Sequence, residues 1–465
     1  MAEKWTSNSS IAVVMVPLPA QGHLNQLLHL SRLVSSYNIP VHYVGTTTHI
    51  QQAKIRAHGF DPVTITNIHF HEYQTPSFET PLPNPNASNK FPNHLMPSFY
   101  ATFHQREPIC ALVRELLSVN TKKVVVIYDN LMNCVVQDLH EMPNTECYSF
   151  NSTSAFMSYS FLWEFKGKPV LPGTEHYDDI PSILDCFPTE FWDFLKIQEQ
   201  FDGKIHCGKL YNSSRVIESL YLDLMAKEYD GLKQWAIGPF NPLEPKEKSK
   251  DSNKRHESLD WLGKQEPNSV IFVSFGTTTS LCDEEVKELA IGLEKSEQKF
   301  IWVLRDADKG DVFTSEVRKV QLPEGYEERI KERGIIVRDW APQLEILAHS
   351  STGGFISHCG WNSCMESMSM GVPIAAWPMH SDQPRNSQLV TKYLKIGLTV
   401  RPWTRRDELV TSKIIENVVK TLMDSTEGDE MRKRAADLSN TIKKSVKDDG
   451  INRAEMDSFI AHITR

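Results

Sequence analysis

A histidine near the amino terminus is placed where a catalytic base could act. His23 follows Ile11–Val16, an apolar run typical of a buried strand, and precedes a helical pattern at Leu24–Ser35. Ligands in α/β folds bind beyond the carboxyl ends of strands. Since an alcohol is barely ionised at neutral pH, a base that takes its proton allows the oxygen to attack an electrophilic carbon. His23 is one of 17 histidines, however, and most histidines have no catalytic role.

A carboxylate that could orient this imidazole follows another predicted strand. Asp129 comes directly after Lys122–Tyr128. A carboxylate bound to a catalytic histidine orients the ring and stabilises its charged form. The alternative interpretation is that Asp129 only caps the turn before Asn130.

Further along the chain, a turn rich in polar groups precedes a helix. The predicted strand Gly354–Ser357 ends at His358, and the helical pattern Trp361–Met370 opens near Ser363. The first amides of a helix lack partners and lie at the positive end of its dipole, so they bind anions. His358, Asn362 and Ser363 add side-chain donors. The turn therefore indicates a phosphate or diphosphate site.

The same residues also have a purely structural interpretation. Ser363 and Glu366 have the spacing of a capping box, and Gly371 would stop the helix. Trp340 and Trp377, on either side, would be core aromatic residues. The local pattern leaves both interpretations open.

The elements that must position these groups are strands and helices in alternation. Apolar runs without polar alternation are typical of parallel sheets covered on both faces, and strand–helix–strand order predicts doubly wound sheets. The predicted strands are Ile11–Val16, Val41–Val44, Val124–Tyr128, Val270–Phe275, Phe300–Leu304, Ile335–Val337, Gly354–Ser357 and Ile374–Trp377, and the helix candidates include Leu24–Ser35, Asp283–Ser296 and Trp361–Met370.

Composition excludes several classes of protein. The 465 residues carry a net charge of -9, which argues against a nucleic-acid partner. No apolar run approaches the length of a membrane span, and Ile11–Val16 is too short for the core of a signal peptide. The eight cysteines include no CxxC pair, so we expect reduced thiols in a cytoplasmic protein.

One segment is typical of a domain boundary. Gly238–His256 contains three prolines followed by a dense run of charges without an apolar period. It separates two halves of similar length, so we expect a two-domain protein with its ligands in the cleft between the domains.

The segment Trp340–Gln383 resembles the signature box of plant family-1 UDP-glycosyltransferases. The resemblance is carried without a gap by WAPQ, HCGWNS, Glu366, GVP and the final Asp382-Gln383. The runs PLPAQGHLNQLLHLSRL, SLDWLGKQEPNSVIFVSFGT and FIWVLR are also similar to that family, so the resemblance covers essentially the whole chain. Within the family, SRVIESLYLDL and PMHSDQPRN are most similar to zeatin O-glucosyltransferases, the cytokinin-conjugating branch.

The resemblance implies the GT-B fold, in which two Rossmann-like domains with parallel sheets face each other. We expect an acceptor-binding domain at residues 1–240, a linker at 241–255 and a UDP-sugar-binding domain at 256–445. Residues 446–465 should form a helix that returns to the first domain. The protein is expected to be a monomer.

The resemblance also implies a donor site. Its residues are Trp340 for uracil, Gln343 and Glu366 for ribose, His358, Asn362, Ser363, Gly276 and Thr277 for the diphosphate, and Trp361, Asp382 and Gln383 for the sugar. A final glutamine accompanies glucose in the family, so the expected donor is UDP-glucose, with UDP-xylose as the alternative. The role of His380 stays open, as does which of Ser152 and Thr153 lies near the sugar.

The implied reaction is an inverting O-glycosyl transfer to a small-molecule hydroxyl, with His23 as the base and Asp129 as its partner. The expected acceptor is a cytokinin such as zeatin; a phenolic or terpenoid metabolite is the alternative. The other alternative is a non-catalytic nucleotide-sugar-binding protein, which would lack the base or its partner; His23 and Asp129 are both present. No metal or other cofactor is expected, although Asp306-Ala-Asp308 has the DxD pattern that binds a cation in another glycosyltransferase architecture.

Overall fold

The structure is a computed structural model. It describes residues 10–57, 66–81, 83–87, 89–119, 121–169, 180–201, 207–244, 256–305 and 320–465. Most of the predicted linker, and both Asp306 and Asp308, lie outside the described residues.

The first half of the chain forms a parallel sheet. Its strands are Ile11–Val16 (β1), Val41–Thr46 (β2), Ile68–Tyr73 (β3), Lys123–Asp129 (β4), Thr145–Asn151 (β5), Gly208–Tyr211 (β6) and Gln234–Ala236 (β7). Among the described residues the sheet has the order β3-β2-β1-β4-β5-β6-β7. β1 pairs with β4 from Ile11 and Lys123 to Val16 and Tyr128, so the turns after both strands lie at one edge.

The second half forms another parallel sheet. Its strands are Val270–Ser274 (β8), Lys299–Val303 (β9), Gly334–Val337 (β10), Thr352–Ser357 (β11), Ile374–Ala376 (β12) and Gly397–Thr399 (β13). In the described part of the chain their order is β10-β9-β8-β11-β12-β13. Ser274 and Ser357 are partners at the carboxyl ends of β8 and β11, which brings the following loops together.

Helices cover both sheets. Their bounds are Gln21–Ser35 (α1), Thr47–Ala57 (α2), Met96–Ala101 (α3), Arg106–Ser118 (α4), Asn133–Val136 (α5), Ala155–Phe165 (α6), Thr189–Glu199 (α7), Arg215–Glu228 (α8), Glu257–Leu262 (α9), Asp283–Ser296 (α10), Tyr326–Ile330 (α11), Gln343–Ala348 (α12), Trp361–Met370 (α13), Gln383–Gln388 (α14), Ser412–Met423 (α15), Thr426–Ser445 (α16) and Ile451–Ile463 (α17). The predicted α/β class with two parallel sheets is confirmed.

The predicted strands are present, and no end differs by more than two residues. Sequence reasoning missed β3, β5, β6, β7 and β13. Three of these are only three or four residues long, and β3 reads Ile-His-Phe-His-Glu-Tyr, whose polar residues hide a strand at the edge of the sheet.

The predicted capping box at α13 is wrong. The helix begins at Trp361 and its N-cap is Gly360, which makes no side-chain cap bond. Ser363 therefore lies inside the first turn, and Glu366 lies in the second turn instead of at the N3 position. Since neither side chain closes the helix start, both are left for other partners.

The last helix crosses back to the first sheet. In α17, Phe459 packs edge-on against Tyr148 and Trp235, at ring-centroid distances of 5.5 and 5.3 Å. The Trp235 indole donates to Ser458 Oγ at 3.2 Å. This contact is the one expected of a carboxyl-terminal helix that returns to the first half, while the residue limits of the domains stay a prediction.

The two halves meet at the carboxyl ends of their sheets. Asn362 Nδ2 donates to the Gly22 carbonyl at 2.9 Å, and Trp361 Nε1 donates to the Asn212 carbonyl at 2.8 Å. Gly22 belongs to α1, which follows β1, and Asn212 follows β6. The loops of the first sheet therefore contact the start of α13 in the second half.

Candidate active site

The structure brings His23 and Asp129 together across 106 residues of sequence. His23 Nδ1 lies 2.6 Å from Asp129 Oδ2, and the carboxylate is fully buried while 22% of the imidazole is exposed. Ser152 Oγ lies 2.9 Å from the same ring nitrogen. With Nδ1 engaged on both sides, Nε2 is the ring nitrogen left for a substrate proton.

Asp129 also performs the structural role that its position suggested. Its second oxygen, Oδ1, accepts from the Leu131 backbone amide at 3.0 Å and caps a 3-10 turn at Asn130–Met132. The cap and the bond to His23 use different oxygens, so the two interpretations of the sequence are compatible. The cap fixes the direction in which Oδ2 points.

The pKa of His23 is raised above its ordinary value of 6.5. Burial lowers it, but the charge of Asp129, the hydrogen bond that the ring donates to that carboxylate and the charge of Asp382 together outweigh burial. Asp382 belongs to the second half, so the proton affinity of His23 depends on how the halves meet.

His358 occupies a cradle formed by two glycines. A Cβ at Gly276 would come within 2.7 Å of His358 Nε2, and one at Gly360 within 2.5 Å, so neither position tolerates a side chain without movement. Gly276 also has φ +78°, a conformation that favours glycine. His358 Nδ1 is buried without a hydrogen-bond partner in the described structure, and burial lowers the pKa of His358 to about 4. An unpaired imidazole nitrogen at a helix start fits an anionic guest.

Trp340 is exposed, so the interpretation of this residue as core is wrong. Its side chain keeps 61% of its exposure, whereas Trp377 is fully buried and is a core residue. The Trp340 carbonyl lies 3.1 Å from His256 Nε2, and the two rings meet edge to face at 6.3 Å. An exposed indole on a fixed backbone is a platform on which a planar base can stack.

Gln343, Ser363 and Glu366 form one polar cluster between α12 and α13. Gln343 Nε2 donates to Glu366 Oε2 at 2.8 Å and to Ser363 Oγ at 3.0 Å. Burial raises the pKa of Glu366 to about 7, against the opposing hydrogen bond from Gln343. A carboxylate and an amide side by side suit the two hydroxyls of a ribose.

Asp382 and Gln383 lie at the start of α14 with different surroundings. Asp382 Oδ2 accepts from Asn386 Nδ2 at 2.7 Å, and burial raises the pKa of Asp382 to about 6. Gln383 Oε1 accepts from the amides of Met379 and His380 at 2.9 and 3.1 Å, which turns this amide toward its own backbone. The predicted contacts of both residues with the sugar stay predictions.

The side chain of Trp361 binds the first half of the molecule. Trp361 is 3% exposed and its indole N–H donates to the Asn212 carbonyl, so this donor is already used in a contact with the first half. The predicted contact of Trp361 with the sugar stays a prediction, as do the predicted phosphate contacts of Asn362 and Thr277. Asn362 binds the carbonyl of Gly22, the residue that precedes the base in the sequence.

Two features had no clear signal in the sequence. Ser152, one of two hydroxyl residues left open, is bound to His23, whereas Thr153 Oγ1 lies 3.3 Å from Ser158 Oγ. His380 is buried, and its imidazole packs edge-on against Phe91 of the first half at 5.8 Å. A serine pattern alone could not say which hydroxyl reaches the base, because that depends on how β5 ends.

The described residues contain no group of three or more acidic, histidine or cysteine side chains that could hold a metal ion. Nor, in the part of the chain that the structure describes, does any helix have the length and apolar character that crossing a membrane requires.

Two family models match the chain. The glycosyltransferase N-terminal domain matches residues 9–242, and the UDP-glucoronosyl and UDP-glucosyl transferase model matches residues 249–442. Together they cover both sheets and every candidate residue described above.

Curated relatives are similar over almost their full length. The chain is 53% identical to a zeatin O-glucosyltransferase of Phaseolus lunatus, over 98% of both chains. It is 52% identical to a zeatin O-xylosyltransferase of Phaseolus vulgaris, over 98% of this chain and 99% of that one. A cis-zeatin O-glucosyltransferase of Zea mays is 40% identical, again over 98% of both.

Solved structures share the fold. A transferase from Siraitia grosvenorii in complex with UDP is 26% identical, with a TM-score of 0.75 over 98% of this chain and 100% of that chain. UGT2 of Phytolacca americana, complexed with UDP-2fluoro-glucose and pterostilbene, is 25% identical with the same TM-score and coverage. The chain, with its two parallel sheets covered by helices, has the GT-B fold of these structures.

Proposed function

The chain belongs to the UDP-glucoronosyl and UDP-glucosyl transferase family, and we propose that it transfers glucose from UDP-glucose to a hydroxyl of a cytokinin such as zeatin. The enzyme uses a UDP-sugar donor and a small-molecule acceptor. Relatives named for zeatin, at 53%, 52% and 40% identity, support a cytokinin as the acceptor. The observation that carries a catalytic role is the His23–Asp129 pair, next to the contact between Gly22 and Asn362.

In the proposed reaction, His23 Nε2 takes the proton of the acceptor hydroxyl as its oxygen attacks the anomeric carbon of the donor. The bond from that carbon to the diphosphate oxygen breaks, and UDP leaves with the electron pair. Attack from the side opposite the leaving group inverts the anomeric carbon. The imidazolium that forms is stabilised by the buried Asp129 carboxylate.

The leaving diphosphate is bound by groups of the second half. His358 Nδ1 and the amides at the start of α13 are donors for its oxygens, and Gly276 leaves room beside the imidazole. Trp340 stacks on uracil, and Glu366 with Gln343 binds the ribose. We propose that this set acts without a metal ion, because helix amides and the His358 N–H already donate hydrogen bonds to the diphosphate oxygens.

Glucose is the proposed sugar, although one relative is named for xylose. The two Phaseolus relatives, one named for each sugar, differ by a single percentage point in identity to this chain, so overall similarity does not decide the donor. The support for glucose is Gln383 at the end of the signature box. We also propose a monomeric, cytoplasmic enzyme; the eight free thiols support the cytoplasmic location.

An acceptor screen tests the proposal. Purified protein is incubated with UDP-glucose or UDP-xylose and with zeatin, a flavonoid phenol or no acceptor, and products are identified by mass. We expect a zeatin hexoside from UDP-glucose, strongly reduced in His23→Ala. A product only with the phenol would favour the alternative acceptor class. Donor binding without any transfer or hydrolysis would identify a non-catalytic nucleotide-sugar-binding protein.

A further inference from the structure

A chain of buried hydrogen bonds joins the first half to the candidate sugar-binding carboxylate. Ser154 Oγ donates to Asn386 Oδ1 at 2.9 Å, and Asn386 Nδ2 donates to Asp382 Oδ2 at 2.7 Å. Ser154 and Asn386 are both fully buried. The position of the Asp382 carboxylate therefore depends on a serine that lies 228 residues away, in the other half of the molecule.

The surroundings of Asn386 dictate the orientation of its amide. Its oxygen faces the Ser154 hydroxyl, while its nitrogen faces two acceptors, Asp382 Oδ2 and the Cys359 carbonyl, the latter at 3.0 Å. A flipped amide would place its oxygen against a carboxylate and a carbonyl. All the polar groups of this side chain are therefore satisfied in one orientation only.

The turn that carries Ser154 also carries the serine bound to the base. Ser152 Oγ contacts His23 Nδ1, and the Ser152 carbonyl accepts from Gln26 Nε2 at 2.7 Å. Two residues later, Ser154 caps α6 by accepting from the Met157 amide at 3.0 Å. One short turn thus contacts the catalytic pair on one side and the network of Asp382 on the other.

A buried glutamate anchors this turn. Glu218, 1% exposed, accepts from the amides of Ala155 and Phe156 at 3.1 and 2.7 Å, and from the Ser213 hydroxyl. These bonds fix the start of α6 and leave Ser154 little freedom. The turn is therefore a rigid support.

We propose that Ser154 and Asn386 are positioning residues. They orient the Asp382 carboxylate toward the sugar of the donor and hold it at a fixed position relative to His23. The inference rests on the proposed function, because it takes Asp382 as a ligand of the sugar. It predicts that loss of the Ser154 hydroxyl weakens recognition of the sugar without weakening recognition of UDP.

Ser154→Ala tests the inference against a matched control, Ser214→Ala. Ser214 is likewise fully buried, caps its helix through the Val216 amide at 3.2 Å and donates to an asparagine, Asn452 Oδ1, at 2.6 Å. Both changes remove one cap and one buried hydrogen bond, but Ser214 points to α17 and not to Asp382. Similar losses of thermal stability are therefore expected from the two variants.

Binding of UDP-glucose and of UDP is measured by calorimetry for each variant. We expect Ser154→Ala to weaken UDP-glucose roughly three- to tenfold, the range for one hydrogen bond, and to leave UDP unchanged. Ser214→Ala should change neither affinity, and Ser154→Thr, which keeps a hydroxyl, should restore UDP-glucose binding. Equal weakening of UDP and UDP-glucose by Ser154→Ala would overturn the inference.

A double-mutant cycle with Asp382→Ala separates the inference from its premise. If Ser154 acts through Asp382, adding Ser154→Ala to Asp382→Ala should cost no further UDP-glucose affinity. Additive losses would overturn the positioning role while leaving the sugar contact intact. Unchanged UDP-glucose affinity in Asp382→Ala alone would contradict the proposed role of Asp382 itself, and the inference with it.

Discussion

Each half of the molecule places a histidine at an equivalent point of its sheet. The pKa values of the two histidines are shifted in opposite directions. His23 lies beyond β1, and His358 directly follows β11, each at the edge of its sheet that faces the other half. Burial lowers the pKa of both. In His23 the carboxylates of Asp129 and Asp382 together outweigh burial and the pKa rises, whereas in His358 burial acts alone and the pKa falls to about 4.

The difference between the two pKa shifts shows that the groups around a histidine determine its role. A raised pKa and a bound carboxylate suit a base that must accept a proton and carry a positive charge. A neutral imidazole between two glycines can donate one N–H to a phosphate without a proton transfer. We therefore expect changes at His23 to affect turnover and changes at His358 to affect donor binding.

The largest effect is expected from His23→Ala. General-base catalysis is worth about 10²–10⁴-fold, so turnover should fall by at least that range while UDP-glucose affinity stays near normal. Turnover numbers and calorimetric donor affinities measured on the same preparation check both parts. A large loss of donor affinity would contradict the assignment of turnover to His23 and of donor binding to His358.

Asp129→Asn should reduce turnover less, by about 10- to 100-fold, the cost of losing one charge-assisted hydrogen bond. Asparagine can still accept from the Leu131 amide, so the cap and the fold are expected to survive. The double variant His23→Ala with Asp129→Asn should resemble His23→Ala alone, because the two residues act as one unit. If the losses of turnover in the two single variants multiply in the double variant, the two residues do not act as one unit.

The pH profile of Asp129→Asn sharpens the same point. In the wild type, activity should fall as the pH drops through the raised pKa of His23, because the protonated ring cannot accept a proton. Removing the carboxylate leaves burial as the larger influence and lowers the pKa of His23, so the acid limb of kcat/KM should move to lower pH. If the acid limb does not move, it reports the titration of a group other than His23.

His358→Ala should weaken UDP-glucose binding by about 1.5–3 kcal/mol, or roughly 10- to 150-fold, the range for a hydrogen bond to a charged group. UDP should be weakened equally, because the contact is to the diphosphate. His358→Gln keeps an N–H donor and is expected to lose less. Calorimetry on folded variants measures this, and unchanged affinity in His358→Ala would refute the phosphate assignment.

The smallest expected effect is that of a chelator. Because the diphosphate is bound by helix amides and His358, EDTA should leave the turnover of the wild type unchanged. If EDTA abolishes activity and magnesium or manganese restores it, the result would favour a cation site at Asp306 and Asp308.

The second half could be predicted from sequence more fully than the first. Apart from Gly276 and Thr277, its donor residues fall within one continuous segment, so a gap-free match predicted their types together, and α13 forms at Trp361–Met370 as expected. The Ser363–Glu366 capping box failed because spacing cannot distinguish a cap from a first turn when a glycine can start the helix. Trp340 and Trp377 likewise differ in burial only through tertiary structure.

In the first half, the catalytic pair could be named, but its surroundings could not. His23 and Asp129 each follow a predicted strand, and the parallel pairing of β1 with β4 brings them together. Ser152 reaches the ring from the end of β5, a strand that the polar sequence concealed. The bonds from Ser154 through Asn386 to Asp382 join distant segments, and no local pattern carries such a link.

The most direct test of His23 as the base compares two acceptors in His23→Ala. An aliphatic hydroxyl such as that of the zeatin side chain holds its proton far more tightly than a phenol, whose pKa is about 10. The ratio of wild-type to His23→Ala turnover should therefore be larger for zeatin than for a flavonoid phenol, with a zeatin loss of at least about 10²-fold. Equal losses on both acceptors would remove the proton-transfer role, and wild-type turnover of zeatin by His23→Ala would contradict the mechanism altogether.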